Sequence, residues 1–115
     1  MGARRSVFLS DLHVISKSLG QSWPLGNYCP LPDVIDGVPA NNDYKPYFTA
    51  AMMQKDLRLA QDAAQSVDAC TPLGAHALAK FSLFCSNGDA QTDYSGISKP
   101  IGGDAWDYPC DLDGE

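Results

Sequence analysis

Residues 43–67, DYKPYFTAAMMQKDLRLAQDAAQSV, form the longest periodic stretch of the 115-residue chain. Met53, Leu57, Ala60, Ala64 and Val67 recur at steps of four, three, four and three, which sets them on one stripe of an α-helix. Gln54, Arg58, Gln61 and Gln65 fall opposite and read as its wet face. Pro46 and Thr49 mark the start, because proline suits a first turn and a threonine hydroxyl caps free amides. Lys55 and Asp56 belong to neither face and sit at the edge of the apolar stripe. By spacing alone Lys55 is a surface lysine, its stem along the rim of a buried face and its head in water.

Outward from this helix, Thr71-Pro72 begins a second one, a cap followed by proline at the first helical position. Leu73, Ala77, Phe81, Phe84 and Cys85 repeat at helical spacing as core residues, and Asn87-Gly88 closes the segment. Gly74, Ala75, Ala77 and Ala79 are small enough to let another helix approach closely. Residues 10–19 read as a short helix capped by Ser10 and ended by Gly20, with Leu12, Ile15 and Leu19 on its buried side and His13 without a partner. Residues 20–43 read as loop, punctuated by Pro24, Gly26, Pro30, Pro32 and the Asp36-Gly37 turn, with Trp23, Tyr28, Val34 and Ile35 to anchor it. So long a loop implies a purpose.

Asp93 can cap one more turn, residues 94–98, which Pro100 and Gly102-Gly103 end. Residues 104–115 carry five carboxylates and no cation, a loose tail unless Trp106 and Tyr108 anchor it. No strand pattern emerges. The expected fold is an all-α domain of three to four helices with one long ordered loop. It divides into an N-terminal segment 1–9, a helical domain 10–101 and an acidic tail 102–115.

The net charge of −6 argues against nucleic acid, whose phosphates need a basic face. No apolar run approaches the length of a membrane span, and the start, MGARRSVFL, resembles a signal peptide whose apolar part stops at Asp11, too short for export. Cys29, Cys70, Cys85 and Cys110 form no C-x-x-C pair and lie far from His13 and His76, so no metal site is expected. Reduced thiols in the cytosol are the corresponding expectation. Neither a G-x-G-x-x-G, a P-loop nor a G-x-S-x-G is present, nor a nucleophile paired with a base.

Specific runs go further than composition. Tyr28-Cys-Pro-Leu-Pro-Asp33, Pro39-Ala-Asn-Asn-Asp-Tyr44, Phe48-Thr-Ala-Ala-Met-Met-Gln-Lys-Asp-Leu-Arg-Leu-Ala-Gln-Asp62 and Thr71-Pro-Leu-Gly-Ala-His-Ala77 resemble the C-terminal domain of 3-hydroxyisobutyrate dehydrogenase. That family belongs to the β-hydroxyacid dehydrogenases and is related to 6-phosphogluconate dehydrogenase. Gly20-Gln-Ser-Trp23 is similar to its S-G-x-x-W segment and Asp93-Tyr-Ser95 to its closing D-F-S, so the likeness runs over residues 7–99. The resemblance implies a 6-phosphogluconate dehydrogenase C-terminal-like all-α domain that closes a cleft over NAD and makes dimer contacts, with NAD held mostly by a Rossmann domain. It implies that Lys55 reaches the nicotinamide end of NAD, that Asp56 keeps the site in register, and that Phe48 walls substrate and nicotinamide.

The family's main catalytic lysine, its Rossmann glycines and its Ser-Gly-Gly substrate loop have no counterpart in these residues, and Tyr47 stands where the family usually has glycine. The expectation is therefore a fragment or separated domain, with no catalytic residue of its own, inactive alone. Its partners would be the Rossmann domain of the same enzyme, a small hydroxy acid and a second copy. The resemblance implies 3-hydroxyisobutyrate oxidation in valine breakdown, in a bacterial cytoplasm or a mitochondrial matrix. A 2-hydroxy-3-oxopropionate reductase and a non-catalytic helical dimerisation module stand as alternatives; the choice between NAD and NADP belongs to the missing domain.

Overall fold

Strong helix formers fill residues 50–66 without a glycine, a proline or a β-branched side chain, and that run is helical throughout. The computed structural model describes residues 10–102. Its α-helices are α1 (residues 10–16), α2 (Trp23–Asn27), α3 (Ala50–Ser66), α4 (Pro72–Phe84) and α5 (Ser98–Gly102). Short 3-10 turns occupy Pro39–Asn42 and Tyr94–Ile97, and a π turn occupies Cys85–Asp89. Among the described residues the one β feature is an isolated antiparallel bridge between Thr49 and Asp93, so the all-α expectation holds. The chain forms two contact units, residues 44–97 and the segments that flank them. The acidic tail and the signal-like start lie outside the described residues.

In residues 44–97, α3 begins at Ala50, not near Pro46. Asp43 and Tyr44 both take left-handed backbone angles (φ 49° and 54°), and Thr49 is the extended N-cap. The Thr49 hydroxyl accepts from the Met52 amide at 3.2 Å, a cap worth about 1 kcal/mol. Val67 follows the last helical residue, and Asp68 turns the chain with φ 53°. α4 starts with Pro72 and packs along α3.

The buried face of α3 is more polar than its apolar stripe suggests. Met53, Leu57 and Ala64 are half-buried, but Ala60 and Val67 are exposed, and Gln54 and Gln61 are half-buried instead. Hydrogen bonds to α4 are the reason: Gln54 Nε2 donates to Ser82 Oγ at 3.2 Å, and Thr71 Oγ1 donates to Gln61 Oε1 at 3.0 Å. Thr71 thereby spends its hydroxyl on α3 and makes no cap bond. Gly74 allows this close approach, since a Cβ there would lie 2.5 Å from Gln61 Nε2. Leu73, expected in the core, is 86% exposed, whereas Phe84 is buried as expected. Gly88 closes the segment with φ 107°.

The flanking unit departs more from the expected pattern. Ser10 lies inside α1 instead of capping it, and the helix stops at residue 16. The Ser16 and Ser18 hydroxyls donate to the carbonyls of His13 and Ile15, competing with the helix amides. Leu19 therefore leaves the stripe and is fully exposed, and Ile15 is exposed too.

The expected loop 20–43 contains α2, because Ser22 accepts from the Leu25 amide and Pro24 sits in a first turn, where proline is favoured. The rest is ordered by Asn41, which accepts from the Asp33 amide at 2.7 Å and donates to the Ile35 carbonyl at 2.8 Å. Tyr28, Cys29, Val38, Pro39 and Ala40 are its buried residues, while Trp23 stays 65% exposed with its ring 5.8 Å from that of Tyr28. Pro100 does not end the last turn but lies inside α5, in the first turn, where amides lack helical partners.

Candidate functional site

The N-terminus of α3 is sealed by its own chain. The Ala50 amide donates to the Thr92 carbonyl at 2.8 Å, the Ala51 amide to the Ala90 carbonyl at 2.9 Å, and the Met52 amide to Thr49. The first three free amides of the helix are thus taken. A cofactor phosphate finds no open helix end here, and any contact α3 makes with one must come from side chains.

Asp93 stands beside this helix end and is fully buried. Its Oδ1 accepts from the amides of Tyr47 at 3.0 Å and Phe48 at 3.2 Å. Its Oδ2 accepts from both the amide and the hydroxyl of Ser95. The cap read from sequence is real on the Ser95 side, and the bonds to residues 47 and 48 are what sequence reasoning missed. The backbone doubles the link: Asp93 donates to the Tyr44 carbonyl at 2.9 Å, and Tyr94 donates to the Phe48 carbonyl at 2.8 Å. The only signal for this in the chain is the Asp93-Tyr-Ser95 triplet itself.

Phe48 is therefore held at its amide, at its carbonyl and at its ring. The half-buried ring meets that of Tyr94 edge to face at 5.9 Å. The Tyr94 phenol is pushed above its usual range, first by burial and then by the charge of Asp93. Burial, followed by Asp89, likewise raises the thiol of Cys85.

Lys55 is exposed on α3, and so is Asp56. Neither side chain makes a hydrogen bond or ion pair among the described residues. As consecutive residues they point about 100° apart on the helix and do not face one another. Exposed Met52 and Leu59 lie three residues before and four residues after Lys55, and exposed Arg58 lies three residues after it, so its neighbours on the helix are apolar on two sides and cationic on a third. Of the three residues singled out from sequence, Phe48 is tightly held in the turn before α3, and Lys55 and Asp56 stand uncommitted on the helix that follows.

A cavity of about 430 Å³ lies elsewhere, between Ser16, Gln21, Ser22, Trp23, Gly26 and Asn27. The hydroxyls of Ser16 and Ser22 and the Asn27 amide already bond the backbone, so its polar groups are largely spent. No helix among the described residues is long and apolar enough to cross a membrane.

Residues 5–101 match a family model described as NAD-binding of NADP-dependent 3-hydroxyisobutyrate dehydrogenase. A probable 3-hydroxyisobutyrate dehydrogenase of Mycobacterium tuberculosis (strain ATCC 25618 / H37Rv) is 40% identical over 84 residues, 73% of this chain and 28% of that protein. An NAD-dependent L-serine dehydrogenase of Pseudomonas aeruginosa is 41% identical over 86 residues, 75% of this chain and 29% of that protein. The solved structure of the Mycobacterium tuberculosis 3-hydroxyisobutyrate dehydrogenase with L-serine superposes with a TM-score of 0.75 at 38% identity, covering 81% of this chain and 32% of that one. The chain thus spans under a third of the length of the relatives it matches.

Proposed function

The chain belongs to the family of the NAD-binding domain of 3-hydroxyisobutyrate dehydrogenases, and from that premise we propose that it is a helical domain of an NAD-dependent 3-hydroxy-acid dehydrogenase. In this reading it closes the active-site cleft over NAD and substrate, pairs with a Rossmann domain of the same enzyme and supports a homodimer. The observation that carries it is Lys55, an exposed cation with no partner among the described residues, flanked by exposed Met52 and Leu59 on a helix whose first amides are taken by its own chain.

Bound NAD would supply the hydride acceptor. Lys55 would lie against its nicotinamide end as a point charge on phosphate or ribose. Phe48 would form an apolar wall that keeps water from the transfer. Asp56, one residue on, would hold the register of that contact. The catalytic lysine would come from the other part of the enzyme, which makes the 115 residues inactive alone.

The substrate is 3-hydroxyisobutyrate in the first reading, with a place in valine breakdown. L-serine is the second, favoured by the relative named for it and by the structure solved with it. Both carry a primary alcohol two carbons from a carboxylate and differ in a methyl or an ammonium between them.

The test uses the intact natural polypeptide that carries this segment. It should reduce NAD with one of the two substrates, and Lys55→Ala should raise KM for NAD about tenfold, as loss of one charged contact does. Unchanged kinetics would reject the assignment of Lys55. An intact mass near the 12.3 kDa of this chain, without activity, would instead favour a helical dimerisation module.

A further inference from the structure

A carboxylate that only capped residues 94–97 would need one oxygen. Asp93 uses Oδ2 for that, through the amide and hydroxyl of Ser95. Its other oxygen reaches back 45 and 46 residues to the amides of Phe48 and Tyr47. Burial makes this arrangement exacting, because a buried carboxylate must be met by donors on both oxygens.

The turn it holds is strained at its root. Tyr44, bulky and buried, has φ 54°, directly after Asp43 at 49°. Such backbone persists only where the surroundings over-determine it, and the Asp93 amide bonded to the Tyr44 carbonyl is part of that frame. The frame ends on Phe48, whose amide, carbonyl and ring are all held by residues 93 and 94.

We propose that Asp93 is a positioning residue that acts on the dehydrogenase reaction through Phe48, by fixing the 44–48 turn from which that ring reaches substrate and nicotinamide. The proposal rests on the reading of Phe48 as the wall of the site. The buried carboxylate gives both amides a charge-assisted acceptor, and the residues just before it, Ala90 and Thr92, accept from the first amides of α3, so the turn and the head of the helix that carries Lys55 are held by one short segment. Asparagine in its place keeps the shape but turns an NH2 group toward two donors.

A double-mutant cycle in the intact polypeptide tests this. Phe48→Leu and Asp93→Asn should each lower kcat/KM about tenfold, and the double variant should be no worse than the poorer single one, since both act on one ring. A merely structural role would leave the two effects additive, about a hundredfold together, and that result overturns the proposal. If Asp93→Asn does not accumulate folded, Ser95→Ala removes one Oδ2 donor. It should lower kcat/KM a few-fold in the wild-type background and not at all on top of Phe48→Leu; an additive loss again overturns the idea. Activity that falls for Phe48→Leu but not for Asp93→Asn sinks this proposal alone. Activity indifferent to Phe48→Leu sinks the reading of the wall along with it.

Discussion

Gly96 gives the sharpest test of how the 44–97 unit is packed. Its φ is not left-handed, so the backbone accepts any residue, and only space forbids a side chain. A Cβ there would lie 2.9 Å from Thr92 Cγ2, 3.4 Å from Phe84 Cζ and 3.6 Å from Tyr44 Cδ1. Thr92 is poorly able to yield. Its hydroxyl donates to Asp89, its amide bonds the Asp89 carbonyl, and its carbonyl takes the Ala50 amide at the head of α3. Turning its side chain away breaks the Asp89 bond, about 1 kcal/mol, and moving its backbone opens the helix seal.

The buried rings of Phe84 and Tyr44 already lie in contact with the same point and leave little room to shift, so Gly96→Ala should cost about 2 kcal/mol, within the range for overpacked cores. In a domain of this size that lowers Tm by roughly 10 °C. Gly26 is the control: it lies in α2 with nothing within 4 Å of its missing Cβ. Gly26→Ala should therefore be neutral or stabilise by up to about 1 kcal/mol through helix propensity. Thermal and urea unfolding of the 115-residue chain, followed by circular dichroism, reads both. A Gly96→Ala variant within about 0.5 kcal/mol of wild type would refute the packing of Tyr44, Phe84 and Thr92 around this turn.

Other expectations follow from the same geometry. The raised Tyr94 phenol favours the protonated folded state, so its contribution is whole below about pH 10 and is lost as pH rises through the folded pKa. Urea midpoints from pH 8 to 11 should therefore fall more steeply for wild type than for Tyr94→Phe, and parallel curves would dismiss the burial. Thr49→Ala should lose about 1 kcal/mol of stability through the Met52 amide it leaves uncapped, read as a shift in urea midpoint. Half-buried Cys85, its thiolate disfavoured by burial and by Asp89, should alkylate more slowly than exposed Cys70 when iodoacetamide labelling is followed by peptide mass. Equal rates would show that the 85–89 turn opens freely.

Helix periodicity located α3 and α4 well, because both are long and built of helix formers. It misjudged their faces where side-chain bonds outweighed hydropathy. Gln54 and Gln61 are drawn into the α3–α4 contact by Ser82 and Thr71, a pairing that depends on two helices at once and leaves no mark in either alone. The short elements failed for a related reason. Pro24 is both a loop signal and a first-turn residue, and only the Ser22 cap decides between them. Lys55, Asp56 and Phe48 owe their selection to a run of sequence shared with a family, since an exposed lysine and a half-buried phenylalanine carry no spacing signal of their own.

Asp93 shows where such reading stops. From sequence it caps the turn that follows it, and that much is local chemistry. Its tie to Tyr47 and Phe48 crosses the whole α3–α4 hairpin and exists only once the fold brings residue 93 back to the head of α3. That return also fills the amides at the helix end, which in an open helix would attract a phosphate. The consequence is chemical: with its backbone donors spent on its own chain, α3 has only side chains to offer a cofactor. Lys55 and Arg58 are the exposed cations of α3, the family likeness puts Lys55 first to test, and Asp93 holds the turn that leads into that helix.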